Sequence, residues 1–258
     1  MTKEEYLWSE SEIDFLKNNM SLSDAQLGKI LKRTERGVKY KRLSMDLKRP
    51  KGKIDINRKY QVDQSFFEEI NTHEKAYWLG FIWADGSIVN NQLCIGLHSK
   101  DEIILQKFKK RIKSEHPIKD VKGGNIKRIV IGSKKICDDL NKLGVIPNKT
   151  NNFRTPQVPI DFIFSFFLGV FDGDGTIGLP TTFSICARPE LAEFFKEKTI
   201  TYLHNVKIYN IKNKSVKIIK VMNKTDLLAL YSLLYLSEDF LPRKKEKFEA
   251  LLRKKNLL

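Results

Sequence analysis

Apolar positions in the first 47 residues recur at helical spacing in three short bursts. Ile13, Phe15 and Leu16 mark the first, with Ser9 or Ser11 placed to cap it. Leu22, Ala25, Leu27, Ile30 and Leu31 mark the second, behind Ser21 or Ser23. Thr34 opens a third, which runs through Val38 and Leu43 to about Met45 and carries Arg36, Lys39, Lys41 and Arg42 on its polar side. Arg49-Pro50-Lys51-Gly52-Lys53 then breaks the helical pattern and reads as a basic linker, with Lys51 and Lys53 free to follow a phosphate backbone.

From about residue 66 the pattern repeats. Ala76-Tyr77-Trp78-Leu79-Gly80-Phe81-Ile82-Trp83-Ala84-Asp85-Gly86-Ser87-Ile88 is echoed by Phe166-Phe167-Leu168-Gly169-Val170-Phe171-Asp172-Gly173-Asp174-Gly175-Thr176-Ile177. Gly80 and Gly169 stand 89 residues apart, as do Asp85 and Asp174. The segments after the two copies also match. Leu93, Ile95 and Leu97 alternate with polar residues, and Phe183, Ile185 and Ala187 do the same; each run predicts a half-buried strand. Helices are predicted over 101–112 and 189–203, then two strands around Gly123-Gly124 and around Lys212-Asn213-Lys214, then helices over 134–143 and 226–236. Asp101 and Asp226 fall at helix starts, where their carboxylates suit capping. The expectation is an α+β protein of two pseudo-symmetric αββαββα halves (66–155 and 156–258) behind a small all-α three-helix domain (1–48) and a linker (49–65).

Charge narrows the functional classes. Forty-seven Lys and Arg against 31 Asp and Glu give a formal charge of +16, which favours a polyanionic partner. The excess concentrates between Lys29 and Lys59, where 13 basic residues face Glu35, Asp46 and Asp55. Cys94, Cys137 and Cys186 are odd in number and form no CxxC pair, so neither a disulfide scaffold nor a zinc knuckle is supported, and an intracellular setting is expected. The N-terminal residues lack the apolar core of a signal peptide, and the longest apolar runs are too short for a bilayer. A chain rich in Lys, Ile and Asn suits an AT-rich bacterium or phage.

The repeat carries its own chemistry. Gly80 with Ala84, and Gly169 with Gly173, place small residues four apart, which leaves a groove for close approach of a second helix. Gly86 and Gly175 suit left-handed helix caps. If the two helices pack side by side, Asp85 and Asp174 meet at one end. Two carboxylates at negative helix termini repel each other and oppose both dipoles. Divalent cations reverse that balance, and water on such a metal attacks phosphodiesters. The residue pattern alone leaves open ordinary helix ends in two Asp-Gly turns.

The paired segments Trp78–Gly86 and Phe167–Gly175 resemble the doubled signature of LAGLIDADG homing endonucleases, and the resemblance covers roughly residues 60–258. It implies two four-stranded sheets forming a saddle over double-stranded DNA, with Asp85 and Asp174 as ligands of Mg²⁺ (or Mn²⁺). The first motif departs from the pattern in having Trp83 where Asp172 stands in the second. The resemblance also implies a basic residue in each half near the cleavage centre. That role falls on Lys149 and on Lys244, with Lys245 as the register alternative. Gln92, Cys94, His98, Lys127 and Arg128 in the first half, and Thr182, Ser184, Arg188, Lys207, Tyr209 and Lys217 in the second, are candidates for base or phosphate contact. The N-terminal pattern of Trp8, Glu12, Leu16, Leu27, Leu31, Arg33-Thr34 and Val38 resembles helix-turn-helix or Myb-like domains, whose third helix enters the major groove.

The resemblance implies a monomeric, metal-dependent endonuclease with no obligate protein partner. A start at Met1 and an end in Leu257-Leu258 rather than His-Asn lead us to expect a free-standing protein and not an intein, and the short apolar runs lead us to expect no membrane association. A non-cleaving DNA-binding regulator, an RNA maturase and a decayed mobile element remain as alternatives. Four scattered histidines (His73, His98, His116, His204) supply no compact histidine-metal nuclease motif.

Overall fold

A computed structural model of the chain describes residues 7–20, 22, 24–47, 59–121, 123–147, 152–178 and 182–258. Ser21, Ser23, Lys51, Lys53 and Lys149, singled out above, lie outside the described residues. The chain divides into two compact units, residues 1–63 and 64–258.

The first unit holds α1 (Glu10–Asn18), α2 (Asp24–Leu31) and α3 (Glu35–Ser44). Ser9 caps α1 through a reciprocal capping box with Glu12, which satisfies two otherwise unpaired backbone donors. Thr34 caps α3 by accepting from the Gly37 amide. Leu16, Leu27 and Val38, one from each helix, form the core, with Trp8, Phe15, Leu22 and Leu47 packed around it. Ile30 and Leu43, apolar members of the sequence pattern, face solvent instead.

The second unit is α+β. Its first half runs α4 (His73–Asp85), β1 (Gly86–Val89), β2 (Gln92–His98), α5 (Glu102–Arg111), β3 (Ile118–Asp120), β4 (Ile126–Gly132) and α6 (Lys134–Lys142). Its second half runs α7 (Ile163–Asp174), β5 (Gly175–Gly178), β6 (Thr182–Ala187), α8 (Pro189–Thr199), β7 (Lys207–Asn210), β8 (Lys217–Val221) and α9 (Lys224–Leu234). A further helix, α10 (Pro242–Lys254), comes last and was not expected. Pro242 fits its first turn, where no amide donor is needed, and Phe248, Leu251 and Leu252 bury its inner face. Each half builds one antiparallel four-stranded sheet, ordered β1-β2-β4-β3 and β5-β6-β8-β7.

Period-two alternation decides which face of each sheet is buried. Leu93, Ile95, Ile129 and Ile131 turn inward in the first sheet, and Phe183, Ile185, Ile219 and Val221 do so in the second. The central helices are apolar nearly all round, as helices buried on every side must be. Every residue of α4 from Ala76 to Ile82 is buried, as is every residue of α7 from Ile163 to Asp172. Among the described residues no helix is long and apolar enough to cross a membrane.

Candidate functional site

Helices α4 and α7 pack backbone against backbone, and their glycines are what permit it. A Cβ on Gly80 would overlap the Phe166 carbonyl oxygen, and one on Gly169 would overlap the Tyr77 carbonyl oxygen. A Cβ on Gly173 would run into the Ala84 methyl and stand 3.3 Å from Asp85 Oδ2. His73 Nδ1 meets Ser165 Oγ at 2.9 Å, a polar bridge between the same two helices. The expectation of left-handed caps at Gly86 and Gly175 is corrected. Both are extended, with φ of −80° and −95°, and both lead straight into strands. These glycines serve space rather than φ. A Cβ would lie 2.7 Å from the Ile82 oxygen at Gly86 and 2.5 Å from the Phe171 oxygen at Gly175.

The docking carries Asp85 and Asp174 to the same end of the helix pair, each into its own cavity. A cavity of about 230 Å³ holds Asp85 together with Gly96, Leu97, His98 and Asp101 of its own half, and Asp172, Gly173, Leu241 and Arg243 of the other. A cavity of about 530 Å³ holds Asp174 with Cys186, Ala187 and Arg188 of its own half, and Trp83, Ala84, Gly144 and Arg154 of the other. Each acid therefore faces walls built from both halves. Both carboxylates also act electrostatically on the Lys244 ammonium.

Lys244 itself is buried and points at a helix end. Its Nζ donates to the carbonyl oxygens of Phe171, Asp172 and Gly175 at 2.7 Å each, with Gly173 O farther away at 3.4 Å. These carbonyls cluster where α7 passes into β5; Phe171 O also accepts from the Gly175 amide, and the Asp172 carbonyl belongs to the last turn, which has no donor from the helix ahead. Burial pushes this ammonium below the usual lysine range, partly offset by the charge of Asp172. Lys245, the register alternative, lies over the rings of Phe240 and Tyr235 at 4.6 and 5.1 Å.

Asp172 is buried beneath the same helix end. Its Oδ2 accepts from Tyr77 Oη at 2.9 Å and from the Leu241 amide at 2.6 Å, while Oδ1 has no partner among the described residues. Burial raises its carboxyl above the ordinary range, against the opposing pull of the Leu241 amide. Trp83 holds the matching place in the first half, with its indole packed on the Gly144 turn and beside Phe153 and Phe166. Gly144 has φ of +101°, which favours glycine, and a Cβ there would meet the Trp83 ring at 2.8 Å.

Two arginines absent from the sequence-based candidates line the cavities. Arg243, beside Asp85, is held by two bonds of 2.8 and 2.7 Å to the Asp101 carboxylate, so Asp101 anchors this arginine rather than capping α5. Arg154, beside Asp174, donates to the Asn141 carbonyl at 2.9 Å and to its side chain at 3.1 Å. Asp226 likewise does not cap. It accepts from the amides of His204 and Asn205 and ties the loop after α8 to α9.

The strand candidates separate by face. Gln92, Cys94 and His98 lie on the open face of the first sheet with Arg128, and Thr182, Lys207 and Tyr209 lie on the open face of the second; Ser184 shares that side but is buried, its hydroxyl donating to the Thr176 carbonyl at 3.4 Å. Lys127 and Lys217 do not. Lys127 shares the buried side with Ile129 and pairs with Asp120 at 2.8 Å and Glu102 at 3.5 Å. Lys217 shares it with Ile219 and pairs with Glu193 at 3.2 Å. Lys220, absent from the sequence-based candidates, takes the open position in β8 opposite Ser184. Arg188 sits at the start of α8, paired with Glu190. In the N-terminal unit Arg36 and Lys39 are exposed on α3 and Lys41 is half-buried, whereas Arg42 is taken up by Asp24 at 3.2 Å and so closes α3 onto α2.

Two halves docked through glycine-lined helices, each with an antiparallel sheet, define the class: this is the two-half LAGLIDADG fold. The LAGLIDADG meganuclease I-AabMI bound to uncleaved DNA matches at a TM-score of 0.50 and 13% identity over 70% of this chain and 90% of that one. The I-SmaMI LAGLIDADG homing endonuclease bound to cleaved DNA matches at 0.50 and 14% identity over 70% and 89%. The same meganuclease bound to uncleavable DNA with a TTCT central four matches at 0.50 and 14% identity over 70% and 90%. No protein-family model matches the chain, and no curated protein sequence matches it.

Proposed function

We propose that this protein is a site-specific DNA endonuclease that cuts both strands of a long, non-palindromic duplex in the presence of Mg²⁺, with Mn²⁺ as a substitute. The observation that carries this reading is the placement of Asp85 and Asp174, one per half, at the joined ends of two helices and beside two open sheet faces. The structural relatives, crystallised with cleaved and uncleaved DNA, supply a precedent for that use of the fold.

The donor set fits such a metal. Carboxylate oxygens are hard ligands, and among the described residues no group of three or more His, Cys, Asp and Glu forms a closed cage. Mg²⁺ usually keeps waters and substrate phosphate in its shell, so one carboxylate from each half suffices as a tether. When bound, the metal lowers the pKa of attacking water and offsets charge on the leaving oxygen. The chain's own residues then have distinct tasks. Asp85 and Asp174 would each hold a cation at their own cavity. Arg154 offers positive charge to the scissile phosphate from a fixed position, while Arg243, its charge matched by Asp101, orients the wall beside Asp85. Lys244 holds the end of α7, and so the position of Asp174, in place. The exposed basic side of α3 adds affinity for flanking duplex, and the protein acts as a monomer because one chain carries both sites.

The test is cleavage of a plasmid library with Mg²⁺, with EDTA, and with Asp85→Asn and Asp174→Asn proteins. Metal-dependent double-strand breaks at one long site, lost in both variants while binding persists, are expected. Cutting by both variants at the wild-type rate would overturn the site assignment. Tight duplex binding without cutting in either metal would replace the enzyme by a DNA-binding regulator, and RNA binding in its place would indicate a maturase.

A further inference from the structure

The two open sheet faces are not copies of one another. Ile118 pairs with Ile129 in the first sheet, and Ile208 pairs with Ile219 in the second. Superposing these pairs aligns the rows that cross each face. Of the two rows compared, the inner is the one nearer the acids, since Gly96 lines the Asp85 cavity and Cys186 lines the Asp174 cavity; His98, opposite Ile126, and Arg188 line the same cavities one step farther in.

In the first sheet the inner row is Gly96, Arg128 and Lys119, and the row outside it is Ser87, Cys94 and Val130. Gly96 stands directly beside the guanidinium, since a Cβ there would make ordinary contact with Arg128 Nε at 3.9 Å. In the second sheet the order is reversed. The inner row is Cys186, Ile218 and Tyr209, and the outer row is Thr176, Ser184, Lys220 and Lys207. Each face thus has one row with two cations directly opposite each other and one uncharged row whose central strand residue is aliphatic, Val130 in one half and Ile218 in the other. Like charges placed opposite on a sheet destabilise it unless an anion or acceptor lies between them. Among the described residues no carboxylate pairs with Arg128, Lys119, Lys207 or Lys220, and the Lys220 ammonium leans over the Tyr209 ring of the neighbouring row at 5.1 Å. The apolar rows are open as well, with Val130 37% and Tyr209 40% exposed.

We propose that these swapped rows set the target's asymmetry: the first half-site has guanine at the inner contacted position and thymine at the outer one, and the second half-site has the reverse. Guanine offers O6 and N7 as paired acceptors to Arg or Lys in the major groove, and thymine offers its methyl group to apolar side chains. Arg128 and Lys220 are the guanine readers, each reinforced by the cation opposite. Val130 in one half, and Ile218 with Tyr209 in the other, are the thymine readers. The inference rests on the DNA reading above and adds which residue in which row selects which base.

The experiment is selection of randomised duplexes by binding, followed by sequencing, with the full chain as wild type, Arg128→Ile, Lys220→Val and Val130→Lys. All three changes lie on open faces, and unchanged thermal unfolding will verify that the variants fold. The wild type is expected to recover one non-palindromic motif. Lys220→Val should lose guanine preference at one outer position, and Arg128→Ile should lose it at one inner position of the opposite half. Each loss should amount to about tenfold to a hundredfold in selectivity. Val130→Lys should convert an outer thymine to guanine. A recovered motif whose base preferences none of the three changes alters, or a palindromic motif, would refute the row assignment while leaving the DNA reading intact. Recovery of no motif by the wild type would sink both.

Discussion

Lys244 shows how a residue's chemistry is set by what its atoms touch. Its hydrogens are directed at carbonyls of the junction between α7 and β5, and three of those bonds are 2.7 Å long. A lysine that activates water needs its ammonium turned toward the reacting atoms. Lys244→Ala should therefore destabilise the protein, by on the order of 3 kcal/mol, because buried carbonyls lose their donor. Calorimetry decides between the two roles: an unchanged unfolding temperature with lost cleavage would restore the catalytic one. At the same scale, Glu12 is held down to about 2 from its ordinary 4.5, chiefly by its hydrogen bonds with Arg33. A carboxylate with a depressed folded pKa contributes stability that is full above pH 4.5 and is lost as pH falls toward 2. Protection of the α1–α3 amides, measured as hydrogen exchange relative to the intrinsic rate at each pH, should fall across that window. Glu12→Gln should show the lower protection already at pH 7, with little further loss of protection on acidification.

At the scale of elements, the α4–α7 joint is the feature whose disruption is most diagnostic. Gly80→Ala or Gly169→Ala drives a methyl into backbone, which cannot yield as a side-chain tip can, so a loss of about 3 kcal/mol or more is expected. Gly173→Ala differs, because its first obstacle is the Ala84 methyl. Ala84→Gly in the same chain should recover much of the lost stability, giving strong non-additivity in a double-mutant cycle by chemical denaturation. Additive effects would mean that the two helix ends do not touch at this point. The joint was legible in the sequence because small residues four apart, twice, have few other uses. Strand faces were legible wherever alternation was followed through. Ile129 and Ile131 already assign Lys127 to the buried side, and Ile219 with Val221 assigns Lys217 there and Lys220 to the open face. Choosing lysines by charge alone lost that information. Helix α10 also carried its signal, a proline followed by Phe248, Leu251 and Leu252 at helical spacing. The contacts of Lys244, Asp101 and Asp226 were not legible, since each has a partner at least 21 residues away in sequence that only the tertiary fold supplies.

At the scale of the whole molecule, the chain contains two units with separate cores, residues 1–63 and 64–258. The larger unit contains both acids, both cavities and both sheets, so the proposed cutting chemistry is complete within it. The smaller one contributes the exposed cations Arg36 and Lys39 and the exposed Tyr40 and Leu43. Removing residues 1–63 should then leave a folded protein that cuts the same central sequence, with weaker binding. The way it weakens is informative. Neutralising phosphates releases counterions, so affinity falls with salt at a slope of about 0.9 per neutralised phosphate. If the helical unit holds flanking duplex through its basic side, the truncated protein should show a shallower salt dependence, by roughly one unit for each phosphate it no longer neutralises. Fluorescence-anisotropy titrations across a range of salt concentrations measure both slopes. Equal slopes with reduced affinity would show that the first unit contributes through base or apolar interactions, with Tyr40 and Leu43 as the residues to change next. Equal slopes with equal affinity would remove it from DNA binding altogether.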